Sequence, residues 1–234
     1  MKIGVIGPWE DEVMPFARKL EGQAIHRYAM RDFLTGEYMG VPVVAIVSGV
    51  GKVNAAIATQ ILIDRFTVTH VLLAGVAGAL GHGLSVGDIV IAREVAHHDV
   101  SREVLTENHP WLANIYIPAD NSMIEDCRRA ASALMPKERF QIGRIITGEA
   151  FIQGQKRQRL VDAFAPLCVD MESASVAQTC YVNGIPFAVI RAMSDMACPA
   201  AAASFEENMT SVSLRALEIV EGFIACQSKH GMRQ

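Results

Sequence analysis

Short aliphatic and β-branched runs recur along the chain, each bounded by Gly, Pro or polar residues, and they alternate with longer stretches patterned at helical spacing. The runs predict strands at 2–7, 43–48, 69–75, 87–95, 140–147 and 186–192. Helices are expected at about 10–20, 52–66, 121–135, 155–163, 170–183 and 204–226. Ser204-Phe205-Glu206-Glu207 has the serine-to-glutamate spacing of a capping box, so the last helix is expected to open at Ser204. This order predicts an α/β fold, a mostly buried central sheet flanked by helices. Pro, Gly and Ser never cluster into a linker, and no repeat recurs at solenoid spacing, so residues 1–228 are read as a single domain. Residues 229–234 are expected to form a disordered tail.

Composition narrows the function classes. The chain has 234 residues, 51% of them hydrophobic and 20% charged, and a net charge of −4. That balance offers no electrostatic footprint for nucleic acid. The N-terminal MKIGVIGPWEDEV carries one lysine and a short apolar run ending in acids, neither a signal peptide nor a membrane span, so a cytoplasmic location is expected. Five widely spaced cysteines (Cys127, Cys168, Cys180, Cys198, Cys226) without a CxxC pair argue against a disulfide framework and against structural zinc.

Several motifs fail on inspection. SGVGK at 48–52 lacks the Walker A pattern, because Ile46 and Val53 stand where Gly and Ser or Thr are needed; its glycines read instead as a tight strand-to-helix turn. His97 and His98 are adjacent on a strand, point to opposite faces and cannot easily share one ion. No nucleophile elbow supports a Ser-His-Asp triad. What remains are carboxylates in distinct settings. Glu10, Asp11 and Glu12 follow the first strand, while Asp170 and Glu172 are expected to begin a helix, where acids complement the helix dipole. Asp195 ends a buried strand between Met193 and Met196, where an unpaired carboxylate would have a raised pKa. A protonated carboxyl can serve as a general acid, and an ionised one elsewhere can activate water.

At the level of motifs the chain resembles the bacterial 5′-methylthioadenosine/S-adenosylhomocysteine nucleosidases of the nucleoside phosphorylase superfamily. The likeness rests on the GxxxDE segment ending at Glu12, SGVGKVNA at 48–55, AGVAGAL at 74–80, VGDIVIA at 86–92, TGEAFI at 147–152, VDMESASVA at 169–177 and IRAMSD at 190–195. It implies a nucleoside phosphorylase-like fold with a mixed central sheet, and hydrolysis of the N-glycosidic bond of 5′-substituted adenine nucleosides, as in methionine salvage. It also implies a homodimer, with no cofactor, metal, nucleic acid or membrane partner. The same resemblance makes Glu12 the base that activates water and Asp195 the acid that protonates adenine at N7, with Ser194 orienting it. Phe151 would stack on the purine and the backbone of Ile152 would read its edge. Glu172 would bind the ribose hydroxyls, Met171 would pack against the sugar, and Arg191 would lie near the water and Glu172. Phe205 would belong to a segment closing over the 5′ substituent; Trp9, Val50, Val76 and Asp170 complete the expected substrate-binding set. Breaking the glycosidic bond puts positive charge on the sugar and negative charge on the base, so carboxylates belong near one and a proton donor near the other.

The sequence departs from that family's pattern at named positions. Val76 stands where a water-holding serine is usual, Trp9 for a smaller residue, Asp170 for glutamate and Glu149 for aspartate, and the segment 101–118 bears little likeness to the usual aromatic-rich one. Two other readings compete with the hydrolase. A phosphorylase would need cations for phosphate where the first loop offers Glu10, Asp11 and Glu12, which repel an anion. A non-catalytic adenosine-ligand binder would have no need of both Glu12 and Asp195.

Overall fold

The first strand, β1 (Ile3–Gly7), is buried at every residue and runs parallel to a neighbour on each side, β4 (Val41–Val47) and β5 (His70–Ala79). Strands buried on both faces read as unbroken apolar runs, which is why IGVIG and HVLLAGVAGA stand out in the sequence. The structure is a computed structural model that describes residues 1–152, 154–197 and 201–231, with the side chains of 138, 201–207 and 229–231 left out. Outward from β4 the sheet continues antiparallel through β3 (Arg31–Tyr38) to β2 (Glu21–Tyr28).

On the other side the sheet closes on itself. β5 pairs in parallel with β10 (Phe187–Asp195), β10 antiparallel with β6 (Ile89–His97), and β6 in parallel with β8 (Phe140–Thr147). β8 pairs in parallel with β9 (Cys168–Asp170), which returns antiparallel to β5. A short β7 (Ile117–Pro118) is added to β6. The closed circuit brings the carboxyl ends of β5, β8 and β10 together, the place where parallel sheets hold ligands.

The helices are α1 (Met14–Ala17), α2 (Lys52–Phe66), α3 (Arg102–Thr106), α4 (Asn121–Leu134), α5 (Gln155–Phe164), α6 (Ser173–Asn183) and α7 (Ala201–Gly231). The long α7 covers β10 and β5 and packs against α4, while α6 packs on α2 and on β6 and β8. The mixed sheet flanked by helices is the expected architecture.

Four expectations change. The helix foreseen over 10–20 is a 3-10 turn at Glu10–Glu12 followed by the four-residue α1, because Pro15 has no amide to donate and its ring obstructs the preceding turn. The helix foreseen from 170 begins at Ser173; Asp170 ends β9 and Glu172 is the residue before the helix. The final helix begins at Ala201, so Ser204 lies inside it and is no cap, while its side chain lies outside the described residues. That helix also runs on through Gly231, across the expected boundary at 228, and 232–234 lie outside the described residues. Cys127, Cys168 and Cys180 are free and buried and Cys226 is half-buried, whereas Cys198 lies outside the described residues.

Candidate active site

Glu12 is held at the carboxyl end of the sheet by the turn that follows β1. Its Oε2 accepts the Trp9 amide at 2.7 Å, and its Oε1 accepts the Val76 amide of β5 at 2.7 Å. The carboxyl is 1% exposed. Burial pushes its pKa up to about 7, partly countered by Arg191 and by those two amides. The first-loop acids therefore differ sharply: Glu10 is exposed, and Asp11 accepts the Thr210 hydroxyl at 2.7 Å on the outside of the turn.

β10 carries the second half of the site. Arg191 is fully buried; its Nε donates to Asp170 Oδ2 at 2.8 Å and its Nη2 to Glu172 Oε2 at 3.0 Å. Burial opposes its charge, yet Asp170, Glu172 and Glu12 together outweigh burial and raise its pKa. Arg191 Nη1 is buried without a hydrogen-bond partner among the described residues. It lies with Glu12 Oε1 over Gly75, where a Cβ would collide with both. Glycine at 75 is thus what lets the guanidinium and the carboxyl approach the same stretch of β5.

At the end of β10 the pairing with β5 shifts register between Met193 and Asp195, an irregularity that re-aims side chains next to the strand's end. Asp195 is 2% exposed. It is not unpaired as the sequence suggested: Oδ2 accepts the Ser194 hydroxyl at 2.9 Å and Oδ1 the Ala197 amide at 2.7 Å. Burial still raises its pKa against both of those bonds.

The β9–α6 junction supplies the remaining acids. Asp170 accepts the Thr147 hydroxyl at 2.6 Å, the Ser173 hydroxyl and the Ser173 amide at 3.2 Å, so the carboxyl is spent on fixing Arg191 and the start of α6. Glu172 Oε1 accepts the Gly51 amide at 2.9 Å, and burial raises its pKa against the pull of Arg191.

A cavity of about 300 Å³ opens between these elements. Its wall includes Glu12, Val76, Asp170, Met171, Glu172, Ser194 and Asp195, with Trp9, Val50, Phe151 and Ile152. Trp9 and Phe151 are half-exposed, whereas Ile152 is 5% exposed. Arg191 stands behind the wall, and the Phe205 side chain lies outside the described residues. Thus the structure brings eleven of the thirteen expected residues into one cavity wall and holds a twelfth against it. The sequence reading missed Gly75, Thr147 and Ser173 as supports, although each lies inside a quoted motif; polar residues that bond other side chains carry no periodicity signal. The wall contains four carboxyls, and among its described residues no Lys, Arg or His.

The family model of the phosphorylase superfamily matches residues 2–225. The 5′-methylthioadenosine/S-adenosylhomocysteine nucleosidase of Bacillus subtilis (strain 168) is 39% identical over 227 residues, covering 94% of this chain and 96% of its own. The chain belongs to that nucleosidase family. Solved structures of the family superpose closely. The Streptococcus pyogenes S-adenosylhomocysteine nucleosidase in complex with 5-methylthiotubericidin matches with a TM-score of 0.89 at 30% identity, covering 96% of each chain. The Neisseria meningitidis nucleosidase in complex with methylthio-immucillin-A also gives 0.89, at 33% identity over 95% of this chain and 98% of that one. Family membership and the mixed α/β fold were both expected from the motifs.

Proposed function

We propose that this protein hydrolyses the N-glycosidic bond of 5′-substituted adenine nucleosides such as methylthioadenosine, S-adenosylhomocysteine and 5′-deoxyadenosine, releasing adenine and the 5-substituted ribose. The observation that carries this reading is the pair of buried carboxyls, Glu12 and Asp195, raised in pKa and facing one cavity from different strand ends. In this mechanism the glycosidic electron pair leaves with the base while Asp195, protonated, donates to adenine N7. Glu12, ionised, takes a proton from the water whose oxygen forms the new bond to the sugar. Arg191 Nη1 is a spare buried donor beside Glu12 and can hold that water. Glu172 and Met171 take the ribose and Phe151 and Ile152 the purine, with Ser194 orienting Asp195 through its 2.9 Å bond. Trp9 and Val50 take the sugar and its 5′ substituent from the cavity wall.

A phosphorylase fits less well. Ionised Glu12 in the wall repels an anion, and the neighbouring Arg191 is already bonded to two other wall acids, Asp170 and Glu172. Membership of the nucleosidase family supports the same choice. The test is adenine release from methylthioadenosine with and without phosphate. Free methylthioribose at a rate indifferent to phosphate is expected; 5-methylthioribose 1-phosphate as product would overturn the hydrolase, and tight binding without release would make the protein a binder. Among the described residues no helix is long and apolar enough to cross a membrane. A cytoplasmic location and a homodimer complete the proposal.

A further inference from the structure

The first amides of α2 are shared between two acids from different parts of the chain. The Gly51 amide donates to Glu172 at 2.9 Å, and the next one, Lys52, donates to Glu149 Oε1 at 2.7 Å. Glu149 Oε2 lies so close to Gly51, which has φ of +95°, that a Cβ there would come within 2.9 Å of it. Glycine at 51 thus serves both the backbone turn and the approach of the acid.

Glu149 is also gripped from its other side. Its own amide donates to Asp99 Oδ2 at 2.9 Å, and Asp99 Oδ1 takes Lys52 Nζ at 2.7 Å. The preceding amide, Gly148, bonds the Asp170 carbonyl at 3.1 Å. The residues that follow, Ala150, Phe151 and Ile152, line the cavity, as does Val50 at the other end of the tie. Glu149 is exposed, so its charge is screened by solvent and its hold on α2 acts through the amide bond.

We propose that Glu149 is a positioning residue, a staple that joins the cavity's 150–152 wall to the start of α2 and so leaves the Gly51 amide free to fix Glu172. That the site takes a nucleoside rests on the function proposed above; the staple itself does not. Without the Glu149 carboxyl, the Lys52 amide has no acceptor from the loop, and the two walls of the cavity can part.

The experiment compares wild type, Glu149→Ala and Glu149→Gln in kcat and KM for methylthioadenosine, in melting temperature, and in hydrogen exchange of segments 49–54 and 148–152. Glu149→Ala is expected to raise KM about tenfold while kcat changes less than about threefold, the size of one lost charge-assisted hydrogen bond spread over binding. Exchange should quicken in those two segments alone, with the melting temperature nearly unchanged. Glu149→Gln keeps the length and an acceptor oxygen, and should bring KM and exchange back near wild type. Unchanged KM and exchange in Glu149→Ala would overturn the staple, as would loosening of the whole sheet with a lowered melting temperature. Should wild type release no adenine, the functional reading falls, while exchange in the two segments still decides the staple.

Discussion

Glu12 shows how one residue's chemistry is set by its surroundings. Two backbone amides and Arg191 favour its ionised form, but burial is the larger effect and its pKa rises to about 7. As a base Glu12 works ionised, so kcat/KM should fall as pH drops through about 7, and Glu12→Gln should abolish that acidic limb. Asp195 works protonated, so its raised pKa supplies the opposite, alkaline limb. A pH profile of adenine release checks both signs. Glu12→Gln and Asp195→Asn should each cut turnover by about 10²-fold or more with the fold intact, the scale of a positioned acid or base; near-normal turnover in either would remove that residue from its role. Val76 is a subtler case. Its amide holds Glu12 whatever the side chain, and the side chain, 7% exposed, faces the cavity. A serine there adds a hydroxyl for the attacking water, a bond worth about 0.5–1.5 kcal/mol. Val76→Ser is therefore expected to raise turnover by up to about tenfold. Slower turnover with a lower melting temperature would instead mark Val76 as a packing residue whose loss leaves a void.

At the scale of elements, legibility followed burial. The helix at 52–66 and the strand at 140–147 fall where the pattern puts them, because each has an apolar face or run bounded by clear stops. The β2–β3 hairpin was invisible for two reasons. Every residue of β2 is exposed, so no alternation marks it. Its two-residue turn is Ala29-Met30, with φ of +48° and +62°, where Asn-Gly would have announced a hairpin. Likewise the apolar run marks 186–192, whereas β10 goes on to Asp195, since Arg191, Ser194 and Asp195 break the apolar pattern although all nine residues are buried. A polar residue inside a sheet looks like its boundary when, as for Arg191 with Asp170 and Glu172, the partners that satisfy it are distant in sequence. The left-handed turn also carries a cost that glycine avoids, about 1–2 kcal/mol less the extra chain entropy of glycine. Met30→Gly should accordingly stabilise the protein by up to about 1 kcal/mol and raise its melting temperature by roughly 2–4 °C. A lower melting temperature would mean that Met30, 90% exposed here, is covered in the assembled protein.

At the scale of the whole molecule, the described residues leave an apolar face uncovered. On α2, Val53 and Ile57 are one helical turn apart and 70% and 41% exposed; on the adjoining α6, Tyr181 and Val182 are 45% and 44% exposed. Scattered apolar residues need no explanation, but four on two packed helices make a surface that water disfavours. The face begins at the start of α2, next to Gly51 and Val50, so covering it would also shield the cavity's edge. A two-fold dimer is the economical way to bury one such patch, since a symmetric interface uses the same surface on both subunits. A stable interface needs about 800 Å² from each partner, more than these four side chains supply, so neighbouring polar residues must form its rim. Sedimentation of the wild type at micromolar concentration should therefore give the mass of a dimer. Val53→Glu with Ile57→Glu should shift it to a monomer, because two desolvated charges per subunit would oppose association. The KM for methylthioadenosine should rise with that shift as the cavity's edge becomes exposed. A monomeric wild type would sink the proposed dimer, and a dimer that survives both substitutions would place its interface on another face.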